Sequence, residues 1–431
     1  MIQEFSFGNF RSFKDIETLD LKAAALKPSK KSLNITNLTK MSEQDSILKS
    51  KVIYGANGSG KSNIVLALKN FRDFIFKSVQ EDFFEIWDPN LLVNFTFESP
   101  IYFQIVFYID DKRYRYGFTY NVKKILSEWL FCKSNKREEP YFIREDGYIK
   151  ELNHASFPEG SKIYSIYEDF KNENEEALKG NRLFLSNISS FGFAKISQSI
   201  LKYIDSIQIA KGLKGEIDFS DVKNKLRSNK ELFIFANKIL SLADTGNKEI
   251  KFLNSSFEEI EEYDNVHNDN SFLMTLKNKF GSTGEIMDTV RMPFDNTESE
   301  GTKKLFELSP LIFESLQKGT PLIIDEFDAR LHPLLSKKLI ELYNSEANKH
   351  AQLIFVTHDT NLLSNQIFRR DQIDFVEKDK FGASHIYSLS DIKGVRNTAS
   401  FEDDYIAGKY GAIPFLGDFN KLLKDFSDEE E

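Results

Sequence analysis

Apolar and polar side chains alternate near the start of the chain, and this alternation predicts strands. The opening IQEFSFGNF has a period of two, which predicts a half-buried strand. Residues 91–131 contain several aromatic runs with the same period, separated by polar breaks, and predict an antiparallel meander. Residues 51–71 predict a short β-branched strand, a glycine-rich turn and an amphipathic helix.

After Gly301 the pattern predicts alternating helices and strands. Residues 305–317 predict a helix that bends or stops near Pro310. Continuous apolar runs predict buried strands in 320–328 and 352–359, with a second helix between them. Because strands that alternate with helices usually lie parallel, this region predicts a parallel sheet with both faces covered.

The middle of the chain, residues 132–285, has a different character. Charged helical stretches such as 221–243 alternate with breaks rich in Asn, Ser and Asp, and no heptad repeat is sustained over four heptads. We therefore expect a discontinuous head, residues 1–131 and 286–431, around a mainly helical insertion of unknown role. The acidic end, residues 425–431, predicts a disordered tail.

Composition excludes several classes of protein. The chain has 431 residues, of which 41% are hydrophobic, and this is ample for a globular core. The net charge of −9 argues against a generally basic nucleic-acid-binding surface, although basic stretches at 27–40 and 133–137 leave local patches open. The first stretch is most simply a solvated loop or hairpin, with phosphate binding as the alternative.

Metal, disulfide and membrane signals are weak. The single cysteine, Cys132, excludes a disulfide framework and a Cys-based zinc site, and the six histidines lack metal-binding spacing. No apolar run approaches the roughly 18 residues that span a bilayer, and the start lacks the layout of a signal peptide. We expect a cytoplasmic protein with no membrane partner.

Residues 55–62 fit the pattern GxxxxGK[ST], which binds phosphates. The glycines let backbone N–H groups face an anion, and the helix that begins near Lys61 adds its positive end. Lys61 supplies a point charge for the β- and γ-phosphates, and Ser62 can ligate Mg²⁺. A plain glycine-rich turn is the alternative, but the predicted strand before and helix after are what a P-loop requires. The candidate ATP-binding residues are Gly55, Ala56, Asn57, Gly58, Ser59, Gly60, Lys61 and Ser62.

Two later strands end in side chains suited to hydrolysis. Asp325 and Glu326 follow an apolar strand, at the end where open α/β sheets place ligands. Asp325 suits Mg²⁺, and Glu326 suits the base that orients the attacking water. His358 ends the next strand and would donate a hydrogen bond to the γ-phosphate; a surface histidine without function is the alternative. Asp328 and His332 would line the same edge, although a turn with these residues needs no function.

Residues 299–303, Ser-Glu-Gly-Thr-Lys, form what we call the signature segment. The segment predicts a helix start whose hydroxyl and backbone donors converge on an anion. A serine N-cap with nothing bound explains it equally well, and only the order of the motifs favours a functional role.

That order resembles the ATPase heads of the ABC type, in the SMC, RecF and OLD branch. In particular, the chain is similar to the stand-alone Rlo-type or abortive-infection ATPases of prokaryotic defence loci. It shares with them the F-x-x-x-N-F-R-S-F opening (Phe5–Phe13), G-x-N-G-S-G-K-S, S-x-G-T-K and I-D-E-x-D-x-x-L-H-P. The resemblance covers roughly residues 1–131 and 286–400, and it implies an α/β P-loop head with a mixed sheet, an antiparallel β subdomain and a mainly helical insertion.

The resemblance also implies roles for individual residues. Lys61 and Ser62 would hold the triphosphate and Mg²⁺, and Asp325 would be the Walker B acid. Glu326 would be the catalytic base and His358 the switch histidine.

Other residues would act between two copies or at the edge of the site. Ser299 and Gly301 would contact the γ-phosphate of a partner head, since two heads of this type face each other around two ATP molecules. Asp328 would be the D-loop residue, and Arg11 would lie near the nucleotide.

Two departures from the family pattern matter. The signature reads E-S-E-G-T-K rather than L-S-G-G-Q, which argues against a membrane transporter ATPase. The Gln loop is unassigned, because Gln104 lies within an alternating strand and is explained equally well by structure.

These observations favour a slow ATPase that assembles head to tail as a homo-oligomer around ATP. We expect it to act as the sensor or scaffold subunit of an anti-phage defence system. Its effector would be a separate protein such as a Toprim-type nuclease, since the residues after His358 show no such domain. The main alternative is a DNA-repair ATPase of RecF or SMC type with ATP-gated DNA binding. A scaffold that binds ATP structurally is a third hypothesis, which leaves Glu326 without a purpose.

Overall fold

The fold is known from a computed structural model that describes most of the chain. The described residues are 1–78, 87–92, 99–134, 137–170, 181–211, 217–243, 249–254, 271–396 and 398–414, together with Gly246, Ser256, Glu258, Glu259 and Gly417. The predicted acidic tail lies outside the described residues, as do two positions of the basic stretch 133–137. Among the helices of the described part, none is both long enough and apolar enough to span a bilayer.

The secondary structure elements are numbered along the chain. The strands are β1 (Ile2–Gly8), β2 (Glu17–Asp20), β3 (Leu38–Lys40), β4 (Ser46–Leu48), β5 (Ser50–Gly55), β6 (Ile101–Ile109), β7 (Lys112–Tyr120), β8 (Ile125–Lys133), β9 (Glu139–Glu145), β10 (Tyr148–Leu152), β11 (Gln208–Lys211), β12 (Glu249–Leu253), β13 (Phe272–Phe280), β14 (Ile286–Pro293), β15 (Pro321–Asp325), β16 (Gln352–Val356), β17 (Ile373–Lys378) and β18 (Ser384–Ser388). The helices are α1 (Leu33–Thr36), α2 (Lys61–Lys77), α3 (Pro158–Phe170), α4 (Phe184–Ser189), α5 (Lys195–Asp205), α6 (Phe219–Ser228), α7 (Lys230–Leu242), α8 (Phe294–Thr297), α9 (Glu300–Lys318), α10 (Pro333–Tyr343) and α11 (Phe401–Ile406).

A seven-stranded antiparallel sheet forms one layer, in the order β10-β9-β8-β7-β6-β1-β2. Its period-two aromatic residues point to a core shared with α2, where Phe71 and Phe74 pack against Phe118 at ring distances of 5.7 and 4.7 Å. The predicted meander is thus confirmed in β6 to β8, whereas residues 93–98 of the predicted stretch lie outside the described residues. The same sheet continues through β9 and β10 to Leu152, beyond residue 131, because the alternating pattern resumes after a short break.

The central sheet has the order β11-β15-β16-β5-β17-β18. Strands β11 to β17 in this row are parallel, and β18 returns antiparallel to β17. Strands β5, β15 and β16 are buried along their whole length, as expected of parallel strands covered on both faces. The predicted α/β class, with a mixed sheet and an antiparallel β subdomain, is therefore the observed architecture.

The middle of the chain is mainly helical, but it also contributes strands. Helices α3 to α7 lie within residues 132–285, and β11 from the same region pairs with β15 in the central sheet. The hairpin of β13 and β14 crosses residue 285. The proposed division into a head and an insertion stays a prediction, since neither of its boundaries coincides with a break in a sheet.

Local differences from the predictions have identifiable causes. The helical stretch 221–243 is two helices, α6 and α7, because Asn229 is extended and its side chain caps α7 by accepting from Leu232 N. Helix α9 continues through Pro310 to Lys318. The Ser309 hydroxyl donates to the Phe306 carbonyl, the group that a proline at 310 leaves without its backbone donor. Residues 27–40, the predicted loop or hairpin, contain α1 and β3, which pairs with β4.

Candidate functional site

Two glycines of residues 55–62, Gly55 and Gly60, are required by the space around them. Strand β5 ends at Gly55, where an added Cβ would lie 2.4 Å from the Val376 carbonyl. Gly60 has a φ of +113° and precedes α2 with no side-chain cap, so no cap side chain competes with an anion for the N–H groups of Lys61 and Ser62 at the start of the helix. A Cβ on Gly60 would meet the hydroxyls of Ser384 and Ser12 at 2.5 and 2.7 Å.

Two serines from distant segments support this loop. Ser384 Oγ donates to the Ser59 carbonyl at 2.5 Å, and its backbone N–H donates to the Ser12 carbonyl at 2.8 Å. Asn63 Nδ2 donates to Ser12 Oγ at 2.8 Å. We call Ser12 and Ser384 the serine brace, because together they fix the loop against the first residues of α2.

Lys61 is buried against the backbone of the loop. Its ammonium donates to the carbonyls of Gly55 and Ala56 at 2.8 and 2.9 Å. Burial lowers the pKa of Lys61 to about 8, although the carboxylates of Asp325 and Glu326 act in the opposite direction. The ammonium is therefore held beside the glycine-rich loop by two neutral carbonyl acceptors.

The acid pair lies across from this ammonium. Asp325 is 5% exposed, and its Oδ1 has no hydrogen-bond partner among the described residues. Glu326 adopts a φ of +52°, a left-handed conformation that is uncommon for a residue with a side chain. Such a conformation costs about 1–3 kcal/mol and is concentrated at functional sites. We call residues 326–330, which follow β15, the catalytic turn.

Asp328 joins the catalytic turn to the end of β16. Its Oδ1 accepts from the Thr357 hydroxyl at 2.6 Å and from the His358 backbone N–H at 3.3 Å. Burial and the nearby Lys61 ammonium hold the pKa of His358 below its ordinary value of 6.5. The imidazole is therefore neutral at pH 7 and able to donate one hydrogen bond. His332 instead caps α10, where its Nδ1 accepts from Leu334 N at 3.2 Å.

These side chains surround one cavity of about 310 Å³, which we call the nucleotide cavity. Its lining comprises Asn57, Gly58, Ser59, Gly60, Lys61, Ser62, Asn63, Asp325, Glu326, Val356 and His358. The sheet order explains the assembly, since β16 lies between β5 and β15 and the carboxyl ends of all three open on the same edge.

Ser62 and Asp325 fit a Mg²⁺ ion. Mg²⁺ prefers oxygen ligands, and it is commonly held by one or two protein groups together with substrate phosphates and water. The buried Asp325 Oδ1 is such an unsatisfied oxygen. Within the described residues, no group of three or more His, Cys, Asp or Glu side chains forms a metal site of its own.

A family model described as "AAA domain, putative AbiEii toxin, Type IV TA system" matches residues 52–364, which is more than half of the chain. The chain belongs to this AAA_21 family. An AAA domain is an ATPase domain, and the AAA_21 match contains the whole lining of the nucleotide cavity. No curated protein sequence matches the chain.

Solved structures with a similar fold include heads of SMC proteins. The SMC head domain from Thermotoga maritima is 14% identical over 90% of this chain and 98% of its own, with a TM-score of 0.41. An SmcHead bound to the C-winged helix domain of ScpA is 13% identical over 90% and 97%, with a TM-score of 0.40. An Smc head with an extended coiled coil, bound to the C-terminal domain of ScpA derived from Pyrococcus furiosus, is 13% identical over 95% and 98%, with a TM-score of 0.40.

The signature segment of this AAA_21 chain lies outside the lining of its own nucleotide cavity. Ser299 is exposed and caps α9, with its Oγ accepting from Thr302 N at 3.2 Å. Gly301 is the next part of the same helix start, and a Cβ there would stand 2.7 Å from the Arg330 carbonyl. The predicted helix start is thus present, but within one chain it does not line the cavity.

Arg11 lies at the rim rather than in the lining. Its guanidinium pairs with Asp88 and donates to Asn63 Oδ1 at 3.5 Å, and Asn63 itself lines the cavity. Gln104 accepts from Trp129 Nε1 at 3.1 Å on the antiparallel sheet, in keeping with a structural role. The serine brace was missed by sequence analysis: both of its residues lie outside the AAA_21 match, and only the F-R-S-F opening pointed to Ser12.

Proposed function

We propose that the chain binds ATP together with Mg²⁺ and hydrolyses it slowly. The observation that carries this proposal is the nucleotide cavity, in which the P-loop, two carboxylates and a neutral histidine face one another. Membership of an ATPase family supports the same conclusion. A scaffold that only binds ATP would have no use for Glu326 in its strained conformation.

Each residue has a part that follows from its position. Lys61 exchanges the Gly55 and Ala56 carbonyls for phosphate oxygens, which are far stronger acceptors for an ammonium. Glu326 orients the attacking water and accepts its proton. His358 donates from its neutral imidazole to the γ-phosphate, where negative charge develops.

Ser62 and Asp325 would hold the metal. Mg²⁺ bound there would neutralise charge on the β- and γ-phosphates. The helix N-terminus at Gly60 adds backbone donors on the same side.

We also propose that two copies assemble head to tail around ATP. This is supported by the position of Ser299 and Gly301, an exposed helix start outside the cavity of its own chain. In a second copy facing the first, the same segment would donate to the partner's γ-phosphate. Binding energy from ATP would then join the two heads rather than drive rapid turnover.

In the cell, we propose that this ATPase is the sensor or scaffold subunit of an anti-phage defence system. The family description, which names a toxin of a type IV toxin–antitoxin system, supports that setting. The effector would be a separate protein such as a Toprim-type nuclease.

Two substitutions test the chemistry. Lys61→Ala should abolish ATP binding, whereas Lys69→Ala, on the exposed face of the same helix, should not. Glu326→Gln should bind ATP with normal affinity, form an ATP-dependent dimer in light scattering, and hydrolyse ATP at the background rate. Glu341→Gln, on α10, is the matched control for loss of one carboxylate. Full turnover by Glu326→Gln would refute the assignment of the base.

A pull-down tests the cellular role. Tagged Glu326→Gln protein, trapped in its ATP-bound form, is recovered from host cells and analysed for proteins and nucleic acid. A stoichiometric nuclease or other toxin-like protein supports the sensor role. DNA with no protein partner would contradict it and favour the alternative of a RecF-type repair ATPase, whose DNA binding should weaken steeply with salt.

A further inference from the structure

The catalytic turn contains a second strained residue, Arg330. Its φ is +68°, so that two of the five residues in the turn, Glu326 and Arg330, are left-handed without being glycine. Each such residue costs about 1–3 kcal/mol and persists only where the surrounding structure imposes the conformation. Glu326 faces the nucleotide cavity, but Arg330 does not line it. The strain at Arg330 therefore needs a separate explanation.

Arg330 connects the catalytic turn to the signature segment of the same chain. Its guanidinium pairs with Glu300 at 3.1 Å, and Glu300 also pairs with Lys303 at 3.4 Å. Its carbonyl lies 2.7 Å from the place that a Cβ on Gly301 would occupy, so only a glycine lets the helix start come this close. Both contacts are thus made by a residue whose backbone is left-handed.

The ion pair contributes little to stability. The Arg330 and Glu300 side chains are 32% and 45% exposed. Pairs this exposed are worth about 0–1 kcal/mol, which does not offset the backbone strain. These contacts therefore fix the position of the catalytic turn relative to the start of α9 rather than stabilise the fold.

A buried lysine of α9, Lys304, lies close enough to the same turn to interact with its charges. Lys304 is 2% exposed, and burial lowers its pKa to about 8; Glu307 on the same helix acts to raise it, Arg330 to lower it, and Glu326 and Asp328 to raise it. The first turn of α9 thus meets the catalytic turn through Gly301 and Glu300, with the buried Lys304 ammonium nearby. On the other side of the turn, Asp328 is hydrogen-bonded to the Thr357 hydroxyl and the His358 backbone.

We propose that Arg330 and Glu300 are positioning residues that make the signature segment and the catalytic turn of one chain move together. This inference rests on the head-to-tail dimer of the proposed function. A hydrogen bond from Ser299 to the partner's ATP would displace the start of α9. Because Arg330 contacts that helix start, the displacement would also move the catalytic turn and Glu326. The base of each chain is then aligned only when its own signature segment is engaged, which couples the two ATP sites.

Cooperativity of hydrolysis is the readout, because loss of a merely structural contact would leave it unchanged. The wild-type protein should hydrolyse ATP with a Hill coefficient approaching about 2, the number of sites in the dimer. Arg330→Gln and Glu300→Gln should each lower the coefficient, leaving only the cooperativity that ATP-driven assembly itself produces, and should reduce kcat with the ATP affinity of the monomer unchanged. The reversed pair, Glu300→Arg with Arg330→Glu, should restore cooperativity. The control is Arg72→Gln on α2, which removes the ion pair with Asp205. Arg72 is about as exposed as Arg330, at 33%, and its loss should not change the Hill coefficient.

The outcomes separate this inference from the proposed function. If the wild-type protein dimerises with ATP and is cooperative, but Arg330→Gln and Glu300→Gln are equally cooperative, the coupling is refuted and the ATPase dimer stands. If the single variants lose cooperativity and the reversed pair does not recover it, the role of the ion pair is refuted. If the wild-type protein forms no ATP-dependent dimer, both proposals fail.

Discussion

ATP binding should weaken as the pH rises above about 8, because the phosphate-binding ammonium of Lys61 is then lost. Burial lowers the pKa of Lys61 to about 8 in the nucleotide-free protein, whereas an ordinary lysine keeps its charge to a pH above 10. At pH 9 roughly one molecule in ten retains the ammonium, compared with roughly nine in ten at pH 7. Since the apparent Kd is the intrinsic Kd divided by the competent fraction, it should rise about tenfold over this interval.

Titration calorimetry at pH 7, 8 and 9 measures this effect in two ways. The Kd itself should rise, and binding at pH 9 should take up about 0.9 proton, which is revealed by buffers of different ionisation enthalpy. Lys61→Arg is the control, because a guanidinium does not deprotonate in this range and its affinity should not depend on pH. Lys304 has a similar pKa but lies outside the nucleotide cavity, so Lys304→Met should retain the wild-type profile. A constant Kd with no proton uptake would show that Lys61 is fully charged before ATP binds.

Two further substitutions test the packing around the site. Gly60→Ala should raise the Kd for ATP at least tenfold, because the added Cβ would stand within 2.7 Å of both brace hydroxyls. Gly58 has a φ of +75° but open space around its Cβ, so Gly58→Ala should have the smaller effect in the same assay. Arg144→Met should lower the free energy of unfolding in urea by about 3–5 kcal/mol, since it leaves the fully buried Glu128 without its cation. That loss should shrink as the pH falls and Glu128 takes up a proton, and Glu128→Gln in the same chain should recover part of it; an unchanged loss at low pH would contradict the reasoning.

The parts of the site that sequence analysis predicted are those set by local patterns. The strand, turn and helix around Lys61 follow from the spacing of glycines between two periodic segments, and β5 and α2 occur where they were expected. The proximity of Asp325 and His358 to Lys61 required one further step. Parallel strands place their carboxyl ends on one edge of the sheet, and the order β15-β16-β5 makes the three strands that carry these residues neighbours.

The parts that were missed depend on contacts between distant segments. Ser384 is hydrogen-bonded to Ser59, 325 positions away in the sequence, and no local pattern marks a serine at the start of an edge strand as a support of the glycine-rich loop. The pairing of Glu300 with Arg330 likewise depends on a left-handed backbone at an arginine, which residue type alone does not predict. The serine cap of α9, by contrast, was readable from its own three residues.

The continuation of the antiparallel sheet was hidden by a change in composition. Charged residues interrupt the aromatic pattern after Cys132, and the pattern resumes in Tyr141 and Phe142 of β9. Both side chains pack against Phe157, at ring distances of 5.5 and 5.8 Å. The sheet therefore extends into a region whose overall composition is typical of helices.

Strand β11 gives the middle of the chain a role in the integrity of the central sheet. It lies at the edge and pairs along β15 from Gln208 with Leu322 to Lys211 with Asp325, so it covers the backbone of the strand that carries the acid pair. An uncovered edge strand is a template for pairing with other chains. The middle region is thus not a detachable module. A shortened chain lacking it would expose the edge of β15 to strand addition by other chains. A chimaera that takes its middle region from a relative would have to retain a strand at this position to avoid such association.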